Sequence, residues 1–330
     1  MTKAAYAIWF CIALFLLATC VPFERRFRSA PDATSPARLD PGDYTMSMDV
    51  NDVVRTWILH VPPAASRGDP LPLLVVLHGG GGTGRKMQQL LGFDAYADAR
   101  GFYVAYPDAF QPSGIRGGAH WNDGRGTAGM VQRGSDDVAF IKDMILDIGR
   151  RVPLDASRVY VTGASNGGMM TYRLGCETGG VFAGIAPVIA NMPAPVFATC
   201  APHAPLTLLA INGDADPLVP LAGGNVCQDV RFGCEGGQVA SHTESVKTFA
   251  IANACDPVPQ VETLPQQIDD GTLVERWTFL NCADGATVVG YIVRGGGHTW
   301  PPLPAQLAAS GAQSRNLDAT RTIVDAFFPE

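Results

Sequence analysis

The stretch Arg158-Val-Tyr-Val-Thr-Gly-Ala-Ser-Asn-Gly-Gly-Met-Met-Thr-Tyr-Arg173 constrains this chain more than any other. Val159 to Thr162 is β-branched and alternating, as a strand requires. The pattern breaks at Gly163 and resumes as a helix rich in Met, Tyr and Leu. Ser165 stands at the break between Gly163 and Gly167, so a Gly-x-Ser-x-Gly motif falls between a strand and a helix. Small flanking residues keep their side chains clear of neighbouring backbone in such a tight turn, and the serine oxygen projects outward. The helix that follows turns its N-terminal amides toward that oxygen. Ser165 is therefore the candidate nucleophile, against the plainer reading of a glycine-rich turn.

A nucleophile elbow needs a sheet to stand on. Hydrophobic residues make up 47% of the 330 positions and charged residues 17%, enough apolar content for a large core. Continuous apolar runs at Leu71–Leu77, Phe102–Tyr106, Ala183–Ala190 and Leu206–Ile211 suit buried strands. Val274–Leu280 and Thr287–Val293 read as further strands, and Tyr44–Val50 with Val54–Val61 as an opening hairpin. Helices are expected at 85–100, at Asp136–Val152, at Ser241–Ala254 and at Leu317–Phe328. In the second of these, Val138, Ile141, Ile145, Ile148 and Val152 share a face. Strands alternating with helices imply a mostly parallel central sheet covered on both faces, in a single domain spanning residues 44–330. Catalytic groups then belong in the loops at the carboxyl ends of the strands.

The N-terminal end reads differently. Met-Thr-Lys and the apolar run Ala4–Val21 have the shape of a signal peptide over residues 1–20. Leu17-Ala18-Thr19-Cys20 resembles a lipoprotein signal, with Cys20 the lipidation candidate, although Thr19 departs from the usual small residue. A plain cleaved signal and an uncleaved anchor stay open beside it. Residues 21–43, rich in Pro, Ala, Ser, Asp and Arg, read as a flexible tether. Six cysteines follow Cys20, an even number that suggests disulfides and an oxidising compartment, secreted or in the cell envelope. The net charge of −7, without a Lys/Arg run past residue 30, speaks against nucleic acid as a partner.

A serine hydroxyl needs a base within hydrogen-bond reach. His298 follows the strand ending at Val293 in a glycine-rich loop that can present an imidazole, and is the candidate base. His120 is its main rival. His78 precedes a glycine run that suggests a backbone role, and His60, His203 and His242 read as structural or solvated. The base needs an acid partner to fix its tautomer. Asp216 is the choice for that partner, with Asp214 the runner-up. The order Ser165, Asp216, His298 is nucleophile, acid, base. An oxyanion must be met by fixed amides. Gly80, in the run 79–82, and Asn166, just after the nucleophile, are the candidate donors. That run lacks the Gly-Lys-Ser/Thr of a phosphate-binding loop.

Six segments in this order carry a resemblance: Leu77 to Gly84, Trp121-Asn-Asp-Gly-Arg125, Asp136 to Ile141, the Ser165 elbow, Asp214-Ala-Asp-Pro217 and Gly296-Gly-His-Thr-Trp-Pro301. From about residue 44 onward the chain resembles the secreted polyhydroxybutyrate depolymerase and feruloyl esterase group. The resemblance implies an α/β-hydrolase fold, no cofactor or metal, and hydrolysis of carboxylic esters by a Ser165–His298–Asp216 triad through an acyl-enzyme. It favours Asp216 over Asp214. It also implies the pairs Cys176–Cys200, Cys227–Cys234 and Cys255–Cys282. Trp121 and Trp300 are expected to line the cleft. The substrate is an ester, small or part of a polymer such as a plant polysaccharide or polyester. No Ser/Thr-rich linker leads to a polymer-binding module, which favours soluble esters over crystalline polyester. The competing readings are a serine peptidase on the same fold and a catalytically silent polymer-binding surface protein.

Overall fold

The computed structural model describes residues 39–111, 118–127, 135–202, 205–228, 236–303 and 310–330. It opens on a hairpin, β1 (Gly42–Val50) and β2 (Val53–Val61), turned at Asn51 and Asp52 with φ of 50° and 63°. Asn and Asp reach that region because their short polar side chains bond locally. β3 (Leu71–Leu77) follows, buried along its whole length, then the helices α1 (Gly84–Leu91) and α2 (Phe93–Arg100), and β4 (Tyr103–Pro107). The single helix expected over 85–100 is thus two. Gly92 adopts a left-handed conformation (φ 70°), ending one helix and starting the next.

α3 (Asp137–Arg151) starts at Asp136, whose carboxylate accepts the amide of Ala139. β5 (Leu154–Ala164) leads through Ser165 into α4 (Asn166–Glu177). Then come β6 (Gly184–Val188), the short α5 (Ala194–Thr199), β7 (Thr207–Gly213), a two-residue pair β8 (Gly224–Asn225) and β9 (Gln238–Val239), and α6 (His242–Ala252). β10 (Gln260–Thr263), β11 (Leu273–Phe279), β12 (Val288–Arg294) and α7 (Ala319–Phe327) close the chain.

Ten strands form one sheet in the order β1-β2-β4-β3-β5-β6-β7-β12-β11-β10. The six from β4 to β12 run parallel, and antiparallel strands flank them on both sides. Successive side chains of β3 serve opposite faces. Leu73, Val75 and Leu77 pack with Phe140, Ile141, Met144 and Ile148 of α3 and with Met170 and Leu174 of α4. Leu74 and Val76 pack with Met87 and Leu91 of α1, Phe93 of α2 and Ile323, Val324 and Phe327 of α7. Each such side chain contributes about 1.5–3 kcal/mol on burial. Chain direction across the sheet reverses between β3 and β5, and a crevice opens at such a switch beyond the carboxyl ends of the strands.

Disulfides join Cys176 at the end of α4 to Cys200 just after α5, and Cys255 to Cys282. Loops of 24 and 27 residues closed this way stabilise by about 3 kcal/mol each in the chain-entropy view. Cys227 is also disulfide-bonded. Cys234, its expected partner, lies outside the described residues, as do the signal segment, Cys20 and most of the tether. Among the described residues no helix is long and apolar enough to cross a membrane.

Candidate active site

β5 is a central strand, bonded to β3 on one side and β6 on the other. It therefore ends with hydrogen-bonded neighbours on both sides. Ser165, immediately beyond it, has φ 55° and ψ −118°. A residue with a Cβ adopts that backbone only when its surroundings force it, at a cost of about 1–3 kcal/mol. The surroundings here are glycines. A Cβ on Gly163 would come within 2.5 Å of the Gly167 carbonyl oxygen, and one on Gly167 within 2.4 Å of the His78 carbonyl oxygen. The first turn of α4 thus rests directly on the backbone of β3 and β5. Ser165 occupies the N-cap of α4, yet its hydroxyl makes no capping hydrogen bond. The helix makes no use of that oxygen as a cap.

β7 and β12 are parallel neighbours with Gly213 level with Val293, so the loops that follow them emerge side by side. The amide of Asp214 donates to the Val293 carbonyl and that of Ala215 to Gly296. This juxtaposition brings Asp216 and His298 together: His298 Nδ1 lies 2.7 Å from Asp216 Oδ2. The carboxylate accepts, so Nδ1 carries the proton and Nε2 keeps a lone pair. Asp216 Oδ1 accepts the amides of Leu218 and Val219 at 2.8 and 2.9 Å, which fixes the carboxylate plane. The side chains are 8% and 0% exposed, respectively, so water competes little with the pair. Among the described residues His298 Nε2 and Ser165 Oγ form no hydrogen bond with each other. Such bonds are commonly long before substrate binds and tighten in the complex.

Asp214 has a different task. Its oxygens accept the Gly295 amide at 2.6 Å and the Arg294 guanidinium at 3.3 Å, and Arg294 is also paired with Glu275. It ties down the start of the loop that carries His298. The far side of that loop is held by Gly297 donating to Ala312 and His298 donating to Ser310.

The glycine run after β3 lies beside the elbow. A Cβ on Gly79 would sit 3.6 Å from the Ser165 Cβ, and one on Gly80 would meet the His120 imidazole at 2.5 Å. The Gly81 amide donates to Ala119 and that of Gly82 to Gly79, whereas among the described residues the amides of Gly80 and Asn166 have no backbone partner. His78 is buried. Its Nδ1 donates to the Gly79 carbonyl at 2.7 Å and its Nε2 accepts the Ala109 amide at 3.0 Å. Burial lowers its pKa, so the ring is a neutral brace for the glycine loop. His120, the rival base, is buried against Gly80, with Nδ1 3.3 Å from the Gly118 carbonyl.

The two tryptophans expected to line the cleft are buried. Trp121 is fully buried, and its indole N–H donates to the His78 carbonyl at 2.9 Å. Trp300 is 6% exposed, packs edge-on against Phe93 and donates to Thr320 Oγ1. Each has a buried partner for its one polar atom, which is how an indole is accommodated in a core.

Sequence reasoning gave the Trp121–Arg125 segment no role beyond bordering the cleft, and the structure shows how it is held. The Asn166 side chain accepts the Trp121 amide at 2.8 Å and donates to the Trp121 carbonyl at 3.0 Å and to Asp123 Oδ2 at 2.7 Å. Asp123, fully buried, takes Arg125 Nε on both oxygens. Burial pushes its carboxyl pKa up, while Arg125 and Asn166 pull it back. Asn122 is anchored through Asp137, which also holds the buried Arg55 at 2.7 Å.

Among the described residues one group offers ligand atoms close enough for a metal ion: Asp43, His60 and Asp94, within 4.8 Å of one another. Both ring nitrogens of His60 already face carboxylates, Asp43 at 2.7 Å and Asp98 at 3.0 Å. These carboxylates hold the His60 pKa above its ordinary value, so the imidazolium itself is the cation among them.

Known proteins resemble this chain in sequence and in fold. The chain is 34% identical to "Putative esterase NocK" of Nocardia uniformis subsp. tsuyamanensis over 310 residues, covering 92% of this chain and 85% of that one. It is 25% identical to feruloyl esterase C of Emericella nidulans, covering 78% of this chain and 82% of that one. In fold it matches an acetyl xylan esterase from Aspergillus awamori with a TM-score of 0.55 at 17% identity, over 79% of this chain and 95% of that one. The fold is that of the α/β-hydrolases. Residues 55–273 match the family described as Esterase PHB depolymerase, and the chain belongs to that family of carboxylic ester hydrolases.

Proposed function

We propose that this esterase works through Ser165, His298 and Asp216, with the amides of Gly80 and Asn166 as the oxyanion hole, on hydroxycinnamoyl or 3-hydroxybutyrate-type esters. The observation that carries the reading is the 2.7 Å bond from His298 Nδ1 to the buried Asp216, at the sheet end where Ser165 is held at φ 55°. His298 Nε2 takes the hydroxyl proton as Ser165 Oγ attacks the ester carbonyl. The carbonyl oxygen becomes the tetrahedral oxyanion between the two amides. His298 then returns the proton to the leaving alcohol, and the acyl group stays on Ser165. Water repeats the sequence: His298 removes its proton, hydroxide attacks the acyl-enzyme, and the proton goes back to Ser165 as the acid departs. Asp216 holds the imidazole in the tautomer that leaves Nε2 basic and stabilises the imidazolium.

The substrate class rests on the family and on the feruloyl esterase relative. Export from the cytoplasm is supported by two disulfides in one chain, a feature of oxidising compartments. The test is hydrolysis of p-nitrophenyl acetate, methyl ferulate and 3-hydroxybutyrate oligomers by the purified protein, beside Ser165→Ala. Turnover that disappears in the variant supports the nucleophile, and the preferred ester assigns the acyl group. Equal turnover by both proteins would overturn the role given to Ser165.

A further inference from the structure

The two oxyanion donors come from different parts of the chain, one from the loop after β3 and one from the start of α4. Their spacing must be right to a fraction of an ångström, because the charge they meet exists only in the transition state. No hydrogen bond runs directly between Gly80 and Asn166. What touches both sides is Trp121. Its backbone amide and carbonyl grip the Asn166 side chain from opposite ends, and its indole donates to His78, two residues before Gly80. Asp123 completes the grip by accepting the remaining Asn166 N–H. Asp123 is itself held by Arg125, whose Nη1 donates to the Gly236 carbonyl at 2.6 Å. Trp121, Asp123 and Asn166 are all at most 4% exposed, so these bonds face no competition from water. A side-chain amide with all three of its bonds fixed in the interior leaves its own backbone N–H a single direction.

We infer that Trp121 and Asp123 are positioning residues, a buried clamp that sets the distance between the Gly80 and Asn166 amides by holding the Asn166 side chain on one side and the His78 carbonyl on the other. The inference rests on the reading of those two amides as the oxyanion hole. It assigns the Asn166 side chain a purpose separate from its backbone: the amide would act on substrate and the carboxamide would aim it. It also accounts for a buried Asp123–Arg125 pair. Desolvating two charges is costly, and here the pair supplies a fixed acceptor for Asn166.

The experiment compares Asn166→Ala and Trp121→Phe with the wild-type protein and Ser165→Ala, using p-nitrophenyl acetate. Asn166→Ala keeps the backbone amide and the Asp123–Arg125 pair and removes only the clamp. It is expected to lower kcat and kcat/KM together by about 10- to 100-fold with KM unchanged, the pattern of an interaction made only in the transition state. The rate of inactivation by a p-nitrophenyl alkylphosphonate, which places a tetrahedral oxyanion on Ser165, should fall in parallel. Trp121→Phe keeps an aromatic ring and both backbone grips, and loses the bond to His78 together with the pyrrole half of the indole. It is expected to lower kcat by about 3- to 10-fold, again without change in KM. Wild-type kcat and phosphonate rates in both variants would overturn the inference, as would a loss expressed wholly in KM. If Asn166→Ala fails to fold, Trp121→Phe decides alone. Failure of the wild-type protein itself to turn over esters would instead count against the proposed function, so the two failures are separable.

Discussion

Among the described residues two histidines stand 2.7 Å from an aspartate oxygen through Nδ1, and the two pairs are built differently. His298 meets Asp216 beyond the carboxyl ends of β12 and β7. His60 meets Asp43 across the β1–β2 hairpin, level with Val104 near the amino end of β4. The distances are equal, so a short His–Asp contact does not identify a catalytic pair. The second nitrogen distinguishes the two. At His60, Nε2 bonds Asp98 at 3.0 Å, and Asp94 stands 3.8 Å from Nδ1. Gln88 bridges Asp43 and Asp94, and Tyr106 donates to Asp94. Every polar direction around the ring is taken, and carboxylates surround a ring that suits them as a cation. Among the described residues only one nitrogen of His298 is engaged, and Asp216 spends its other oxygen on two backbone amides rather than on a second cation. A base must be left with somewhere to put a proton. The comparison therefore separates an imidazole with one nitrogen bonded to a carboxylate from one with carboxylates at both.

The largest test of that separation is on activity. His298→Ala is predicted to lower kcat by about 10⁴-fold or more, whereas His60→Gln should leave kcat within about twofold. Steady-state ester hydrolysis by both variants checks it, and comparable losses in the two would erase the distinction. The aspartates sharpen it. Asp216→Asn keeps the shape but not the acceptor pair, and is predicted to cost about 10³- to 10⁴-fold in kcat. Asp43→Asn should cost none. Asp214→Asn, which loosens the anchor of the His298 loop, should fall between, at about tenfold.

Smaller effects appear in stability against pH, and they run in opposite directions for two buried histidines. His242 is fully buried, and burial lowers its pKa to about 4. A lowered folded-state value means that its contribution is present above the unfolded value near 6.5 and is lost as pH falls toward 4. The loss amounts to about 3 kcal/mol. Thermal melts from pH 7 to pH 4 should show this slope in the wild-type protein and lack it in His242→Gln. At His60, burial acts to lower the pKa, but Asp43, Asp94 and Asp98 outweigh it and hold it above the ordinary value. A raised folded-state value means that the contribution is complete below the unfolded value and disappears as pH rises through the folded one. The melting-temperature gap between wild type and His60→Gln should therefore be widest near pH 5.5 and narrow as pH rises above about 6.5. A gap that widened with pH would reverse the sign given to the carboxylates.

What could be read in the sequence follows from how local each constraint is. The turn at Ser165 is set by residues within two positions of it, so strand, glycine and helix signals sufficed to place it between β5 and α4. The loops bearing Asp216 and His298 were legible because each follows an apolar run by a few residues. The Trp121–Arg125 segment was not. Its partners, Asn166 and His78, lie 45 and 43 residues from Trp121. An indole in a glycine-rich loop reads the same whether it faces a cleft or a core, so the burial of Trp121 and Trp300 is not legible in the sequence. β10 gave no signal because all four of its residues are exposed at the sheet edge, so no apolar alternation marks it. The break between α1 and α2 hinges on the sign of one φ at Gly92, which periodicity does not report.

The packing around Gly163, Gly167 and Gly168 bears on how such a chain can vary over evolution. A methyl group at Gly168 would lie 2.6 Å from the Ala190 Cβ, beside the still tighter approaches at Gly163 and Gly167. Three positions in a span of six are thereby closed to alanine and to everything larger. Any lineage that explores new acyl groups has to do so through other loops, leaving this patch of backbone-on-backbone contact as inherited.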